Sequence, residues 1–310
     1  MATRVALALG SGGARGYAHI GVIEELHARG YEVVGIAGSS MGALVGGLHA
    51  AGSLKEFAEW ATTLTQRAVL RLLDPSISAA GVLRAGRILD TVRDMLGGVT
   101  IEALPIPFTA VTTDLLAGKS VWLQRGPVDE AIRASIAIPG VIAPHVHDGR
   151  LLADGGILDP LPMAPIAAVN ADLTIAVSLS GSDDASSNES AGPGATPTRE
   201  RLNRLLRSTS DLLSRFGTPV EPVDSDEEPI PKLGSFAVMN RTIDIAQSAL
   251  ARHQLAAYPP DLLIAVPRSA CRSLDFHRAA EVIGVGRELA ARALAQLGGD
   301  GAGQRADPPT

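Results

Sequence analysis

Short apolar runs alternate with helix-length amphipathic patterns along residues 3–180, and this alternation limits the possible folds more than any other feature of the chain. Arg4–Leu9 is a strand-length apolar run that ends in glycine. Gly16–Arg29 follows as a helix, with Ala18, Val22, Ile23 and Leu26 on one face and Gly30 as its stop. Val33–Ala37 is a second apolar strand, and Met41–Ala51 is a helix of small residues. Amphipathic segments come next near 54–73 and 86–96. Strands follow at Phe108–Thr113 and Ser120–Leu123, then a helix near 127–137 and a buried strand at Ala171–Ser178. Strands without polar alternation are buried on both faces. The prediction is therefore an α/β fold with a mostly parallel central sheet between two layers of helices.

The stretch Val33–Leu54 carries no formal charge and is long enough to span a bilayer. Its six glycines, three serines and central GSSMG turn fit a strand, a sharp turn and a buried helix better than one membrane helix. The pattern breaks at Gly181. A Gly/Ser/Pro-rich acidic stretch leads into Arg199–Phe216, which has a Leu/Phe face and a net charge of +3, and then into an acidic, Pro-rich run. Globular patterning resumes with a helix near 235–257, a strand at Asp261–Val266 and a helix near 276–297. The expected organisation is one domain over residues 1–297 with a mobile insertion at 181–232 and a disordered tail at 298–310. Residues 199–216 suit either a peripheral membrane contact or a lid that packs its Leu face on the core. The lid is the simpler expectation, since most amphipathic helices bury their apolar side in their own protein.

Composition narrows the function classes. The chain has 310 residues, and its 33 acids outnumber its 27 bases to give a net charge of −6, with no basic block suited to nucleic acid. Lone Cys271 excludes a disulfide framework and a cysteine-based metal site. The N-terminal apolar stretch is too short for a signal peptide, so a reducing, cytoplasmic setting is expected.

Gly38-Ser39-Ser40-Met41-Gly42 is a G-x-S-x-G between a strand and a helix. A serine nucleophile on such a turn has crowded backbone dihedrals, glycines two residues to either side admit the turn, and the helix N-terminus favours a developing anion. A plain Gly/Ser connection gives the same string. Gly10-Ser11-Gly12-Gly13-Ala14-Arg15-Gly16 is a second glycine loop between strand and helix, suited to hold a phosphate or an oxyanion on backbone N–H groups. Dinucleotide binding would need glycine at position 15 and an acid after the second strand, and a phosphate loop would need Gly-Lys-Ser/Thr; all are missing. None of the seven histidines sits in an obvious catalytic turn. His145 and His147 alternate in a strand-like PHVHDG, but a metal there would need a further ligand. Asp154-Gly155-Gly156 follows a short apolar run, where the aspartate could serve as a base or as a turn residue. A His-based triad would draw on His253 or His277. A non-catalytic binding module is the alternative from another class.

The ordered set GSGGARG (10–16), GSSMG (38–42) and DGG (154–156) resembles the patatin-like phospholipase family, most closely its bacterial members related to neuropathy target esterase. ARGYAHIGVIEEL (14–26), TDLLAGK (113–119), ASIAIPGVIAP (134–144) and PPDLLIAV (259–266) agree with it, so the likeness covers about 3–180 and 235–297. The resemblance implies a patatin-like three-layer α/β/α fold and hydrolysis of phospholipid and lysophospholipid acyl esters, without metal or cofactor. It implies a Ser–Asp dyad of Ser40 (nucleophile) and Asp154 (proton acceptor), an oxyanion hole from Gly12 and Gly13, and Arg15 adjoining that loop. Gly10, Gly16, Gly38, Gly42, Gly155 and Gly156 are its motif glycines. Ser11 stands where many relatives carry glycine, and Val141 and Ile142 occupy a stretch that often contains Phe. An aspartate at its ordinary pKa of about 3.9 would be a weak base for a hydroxyl, so placement would have to do more than basicity.

Overall fold

The computed structural model describes residues 2–72, 86–181 and 235–303. The proposed insertion from 182 onward, with its helix at 199–216, and the last seven residues lie outside the described residues. The chain divides into one unit of Met1–Asp183 with Met239–Thr310 and another of Asp184–Val238.

One sheet runs through the first unit. In chain order its strands are β1 (Arg4–Leu9), β2 (Glu32–Ser39), β3 (Phe108–Asp114), β4 (Lys119–Leu123), β5 (His145–His147), β6 (Arg150–Asp154), β7 (Leu173–Gly181) and β8 (Leu262–Pro267). Their order across the sheet is β5-β6-β3-β2-β1-β7-β8, with β4 also paired to β3. β1 lies parallel to β2 and β7, β2 to β3, and β7 to β8. The antiparallel pairs gather at one end, where β3 meets β4 and β6, and β6 meets β5.

The two faces of β1 show why the chain needs covering layers. Val5, Leu7 and Leu9 point into the larger core, shared with α1 (Ala18–Ala28), α2 (Met41–Ala50), α3 (Leu54–Thr62), α5 (Gly86–Leu96), α6 (Val128–Ser135) and α8 (Ala279–Gly303). Ala6 and Ala8 point into a smaller core with Leu161, Met163, Ile166 and Ala251, the last carried by α7 (Ser235–Ala257). Alanines on that face let the 159–169 segment and α7 lie close to the sheet. The result is the predicted α/β/α sandwich.

Helix boundaries differ from the sequence reading at several points: the last helix, for one, runs from Ala279 to Gly303, past residue 297, after which a disordered tail is expected. The amphipathic segment near 54–73 divides into α3 and α4 (Gln66–Leu72). The hydroxyls of Thr62 and Thr63 bond back to the carbonyls of Glu59 and Trp60, and Thr65 Oγ1 accepts the Ala68 amide, so threonines end one helix and cap the next. α6 stops at Ser135, because Ile138 precedes Pro139 and is pushed out of helical geometry.

α1 and α8 cross where both backbones lack side chains. A Cβ on Gly21 would lie 2.0 Å from the Ile283 carbonyl oxygen, and one on Gly286 would lie 2.0 Å from that of Ala18. Gly284, on the same helix, faces open space. Gly286→Ala should therefore destabilise the fold by about 1–3 kcal/mol through overpacking. Gly284→Ala should stabilise it by up to about 1 kcal/mol from helix propensity alone. Thermal melts of the two variants check the opposite signs.

Candidate active site

Parallel pairing of β1 with β2 brings Leu9 opposite Gly38, so the loops that leave these strands lie side by side. Ser40 joins β2 to α2 with φ 56° and ψ −123°, a left-handed conformation unusual for a residue with a side chain. Its carbonyl accepts the amides of Ala43 and Leu44 and starts the helix. The flanking glycines are required by close approach. A Cβ on Gly38 would sit 2.3 Å from the backbone of Gly42, and one on Gly42 would sit 2.0 Å from the Leu9 carbonyl oxygen.

Ser40 Oγ donates to Asp154 Oδ2 at 2.5 Å, and both residues are buried. Asp154 ends β6; its other oxygen accepts the Gly156 amide at 2.7 Å, and its own amide donates to the Ala137 carbonyl at 3.0 Å. Gly155 and Gly156 are small by necessity, since Cβ atoms there would meet the Val111 carbonyl oxygen at 2.1 Å and Ser11 Oγ at 2.3 Å. Burial raises the Asp154 pKa to about 6, against the smaller opposing effects of its bonds to Ser40 and Gly156. Its carboxylate is thus a stronger base than the sequence alone suggested.

The glycine loop forms the opposite wall. Gly10, Ser11 and Ala14 donate their amides to the carbonyls of Val177, Pro160 and Ser273. Among the described residues no acceptor meets the amides of Gly12 and Gly13, and both residues line the cleft that holds Ser40 and Asp154. Gly13 has φ +58°, and a Cβ there would strike the Ser273 carbonyl oxygen at 2.3 Å. Gly16 lets the loop's short helix touch Met41, and Gly10 packs against the Val177 carbonyl. Buried His19 holds the loop from behind, its Nε2 bonded to the Gly10 carbonyl at 2.8 Å. A carbonyl only accepts, so Nε2 carries the proton; burial pushes the His19 pKa down to about 4 and keeps the ring neutral. The helical pattern around His19 carries no sign of this role.

Arg15 adjoins the loop but does not line the cleft at Ser40. It is buried 3.5 Å from Asp244, which does line that cleft, and borders a small adjoining cavity with Ser178, Ser180 and Arg268. Nor does any histidine line that cleft: His253 is exposed on α7, and His277 is half-buried in the turn before α8. His145 Nε2 lies 2.5 Å from Glu130 and His147 Nε2 lies 3.6 Å from Asp148, yet no group of three metal-ligating side chains forms among the described residues.

Ser40 stands where two clefts meet. The second is apolar and is lined by Tyr17, Phe57, Trp60, Phe276, Ile138 and Val141 among others. The chain has only five Phe, three Tyr and two Trp, and four of these ten gather here. Val141 and Ile142, the departures noted in the sequence, belong to the same wall. The arrangement can pass a hydroxyl proton to a carboxylate as the oxygen attacks a carbonyl, with free N–H groups opposite and an apolar cavity for a chain.

Fold and site together define an α/β/α protein with a Ser–Asp pair beneath a glycine loop. The family model described as patatin-like phospholipase matches residues 7–167, and the chain belongs to that family. It is 66% identical to an uncharacterized NTE family protein of Mycobacterium tuberculosis, over 94% of this chain and 91% of that one. Neuropathy target esterase sws of Drosophila melanogaster is 32% identical over 58% of this chain and 13% of its own length. Lysophospholipase nte1 of Emericella nidulans is 33% identical over 58% of this chain and 12% of its own.

Proposed function

We propose that this protein is a serine acyl hydrolase that cleaves carboxylic esters of phospholipids or lysophospholipids. The direct Ser40–Asp154 hydrogen bond at the mouth of an apolar cleft carries this reading. Asp154 takes the Ser40 proton as Oγ attacks the ester carbonyl. The amides of Gly12 and Gly13 stabilise the oxyanion, at about 3–4 kcal/mol per donor. The acyl chain occupies the apolar cleft. Asp154 passes the Ser40 proton to the oxygen of the departing alcohol or lysolipid. It then takes a proton from the water that attacks the acyl-serine and returns it to Ser40 Oγ as the fatty acid leaves. With Oγ bonded to the carboxylate itself, the mechanism needs no histidine between them. Among the described residues no helix is long and apolar enough to cross a membrane.

The test combines labelling with turnover. A fluorophosphonate probe should attach to Ser40, as mapped by peptide mass, and the protein should release fatty acid from lysophosphatidylcholine. Because the base must be deprotonated, kcat/KM should fall about tenfold per pH unit below a midpoint near 6 and level off above it. An unlabelled serine in folded protein, with no acid released from lipid or p-nitrophenyl esters, would overturn the proposal and favour a binding module.

A further inference from the structure

The end of α6 touches both halves of the Ser40–Asp154 contact. Ser135, fully buried, accepts the Ser40 N–H on its Oγ at 2.9 Å and donates its own proton to the Val111 carbonyl at 2.6 Å. Two residues further on, the Ala137 carbonyl accepts the Asp154 amide. We propose that Ser135 is a positioning residue for Ser40, its hydroxyl holding the nucleophile's left-handed backbone and so setting the direction of Oγ; this rests on the reading of Ser40 as nucleophile.

The polarity of the hydroxyl has one solution. The Val111 carbonyl can only accept and the Ser40 amide can only donate, so the Ser135 proton faces β3 and its lone pair faces Ser40. The bridge ties a strained turn to the middle of the sheet. It also supplies the one partner that this buried amide has among the described residues, and such an amide is costly to leave unpaired. Strain at positive φ persists only where its surroundings over-determine it. Without the Ser135 oxygen the turn loses its anchor and Oγ can drift from Asp154. A displacement of about 1 Å at a reacting atom can cost on the order of 100-fold in rate.

The experiment compares wild type, Ser135→Ala and Ser135→Cys in p-nitrophenyl ester turnover, fluorophosphonate labelling rate and thermal melting. The alanine variant should lose about 10- to 100-fold in kcat with KM within about twofold, and labelling should slow in parallel. The midpoint of its pH profile should move upward from about 6, because Asp154 keeps its burial while the bond from Ser40 that lowers its pKa weakens. The cysteine variant, with a weakly bonding thiol of similar size, should recover part of the loss; should alanine fail to fold, a fall in kcat and labelling for cysteine alone supports the proposal. Wild-type labelling and turnover in either variant, a loss confined to KM, or a folded cysteine variant no better than alanine would overturn it. A wild-type protein that neither labels nor turns over would instead fail the function reading.

Discussion

Ser40→Ala and Ser40→Gly should both reduce ester turnover to background, yet the glycine variant should be the more stable of the two by about 1 kcal/mol. Both remove the proposed nucleophile, and both remove the hydrogen bond to Asp154, so those losses cancel in the comparison. What differs is the backbone. Ser40 sits at φ 56°, ψ −123°, where a side chain clashes and glycine does not. Strain of this kind is on the order of 1–3 kcal/mol, and alanine keeps all of it because it keeps Cβ. Glycine relieves it at an entropic cost of roughly 0.5–1 kcal/mol. Denaturant melts of the two inactive variants would read the difference. Equal stability would mean that the strain only matches glycine's entropic cost. An alanine variant more stable by that full cost of about 0.5–1 kcal/mol would mean that the turn stores no strain, and would remove the reason for an anchor such as Ser135.

Much of this arrangement was legible in the sequence because it depends on short spacings. Strands and helices alternate within windows of ten residues or so, and Gly38 and Gly42 bracket Ser40 at a distance a turn imposes. The physical reason for those glycines was only half visible: they are small because Gly42 lies against the Leu9 carbonyl, a contact between loops of different strands. Ser135 could not be singled out. It lies 95 residues from Ser40, in a helix whose pattern gives no sign of which hydroxyl turns inward. His19 looked like any helical histidine until the loop carbonyl of Gly10 was seen against it. Arg15 reads as part of the glycine loop in one dimension, but in three it pairs with Asp244 and does not itself line the cleft at Ser40. The aromatic wall was hidden for the same reason, since Tyr17, Phe57 with Trp60, and Phe276 come from three separate elements.

Basicity is the property that sequence could least supply, and it gives the second large effect. Asp154→Asn should abolish turnover, with a loss of about 10²- to 10⁴-fold expected for removal of a general base. It should also make the protein more stable at neutral pH. The Asp154 pKa is about 6 in the fold, against 3.8 for an ordinary aspartate, because burial disfavours the charged form. The folded protein therefore binds this proton more tightly than the unfolded chain does. The sign is then fixed: below about pH 4 both states are protonated and nothing is lost, whereas between pH 4 and 6 the unfolded chain ionises first and stability falls. Above 6 the folded state carries the whole cost of a buried carboxylate. Two pKa units correspond to about 3 kcal/mol, and imperfect replacement of the bond to Ser40 reduces the gain to about 1–3 kcal/mol. Asparagine cannot ionise, yet its Oδ1 can still accept the Gly156 amide as Asp154 does at 2.7 Å. The unfolding free energy of the variant should thus exceed that of wild type at pH 8 and not at pH 4. Equal stability at both would mean that Asp154 ionises at an ordinary pKa. The fall in kcat/KM would then have to lie near pH 4, so one titration links the stability of the inactive variant to the rate profile of the active protein.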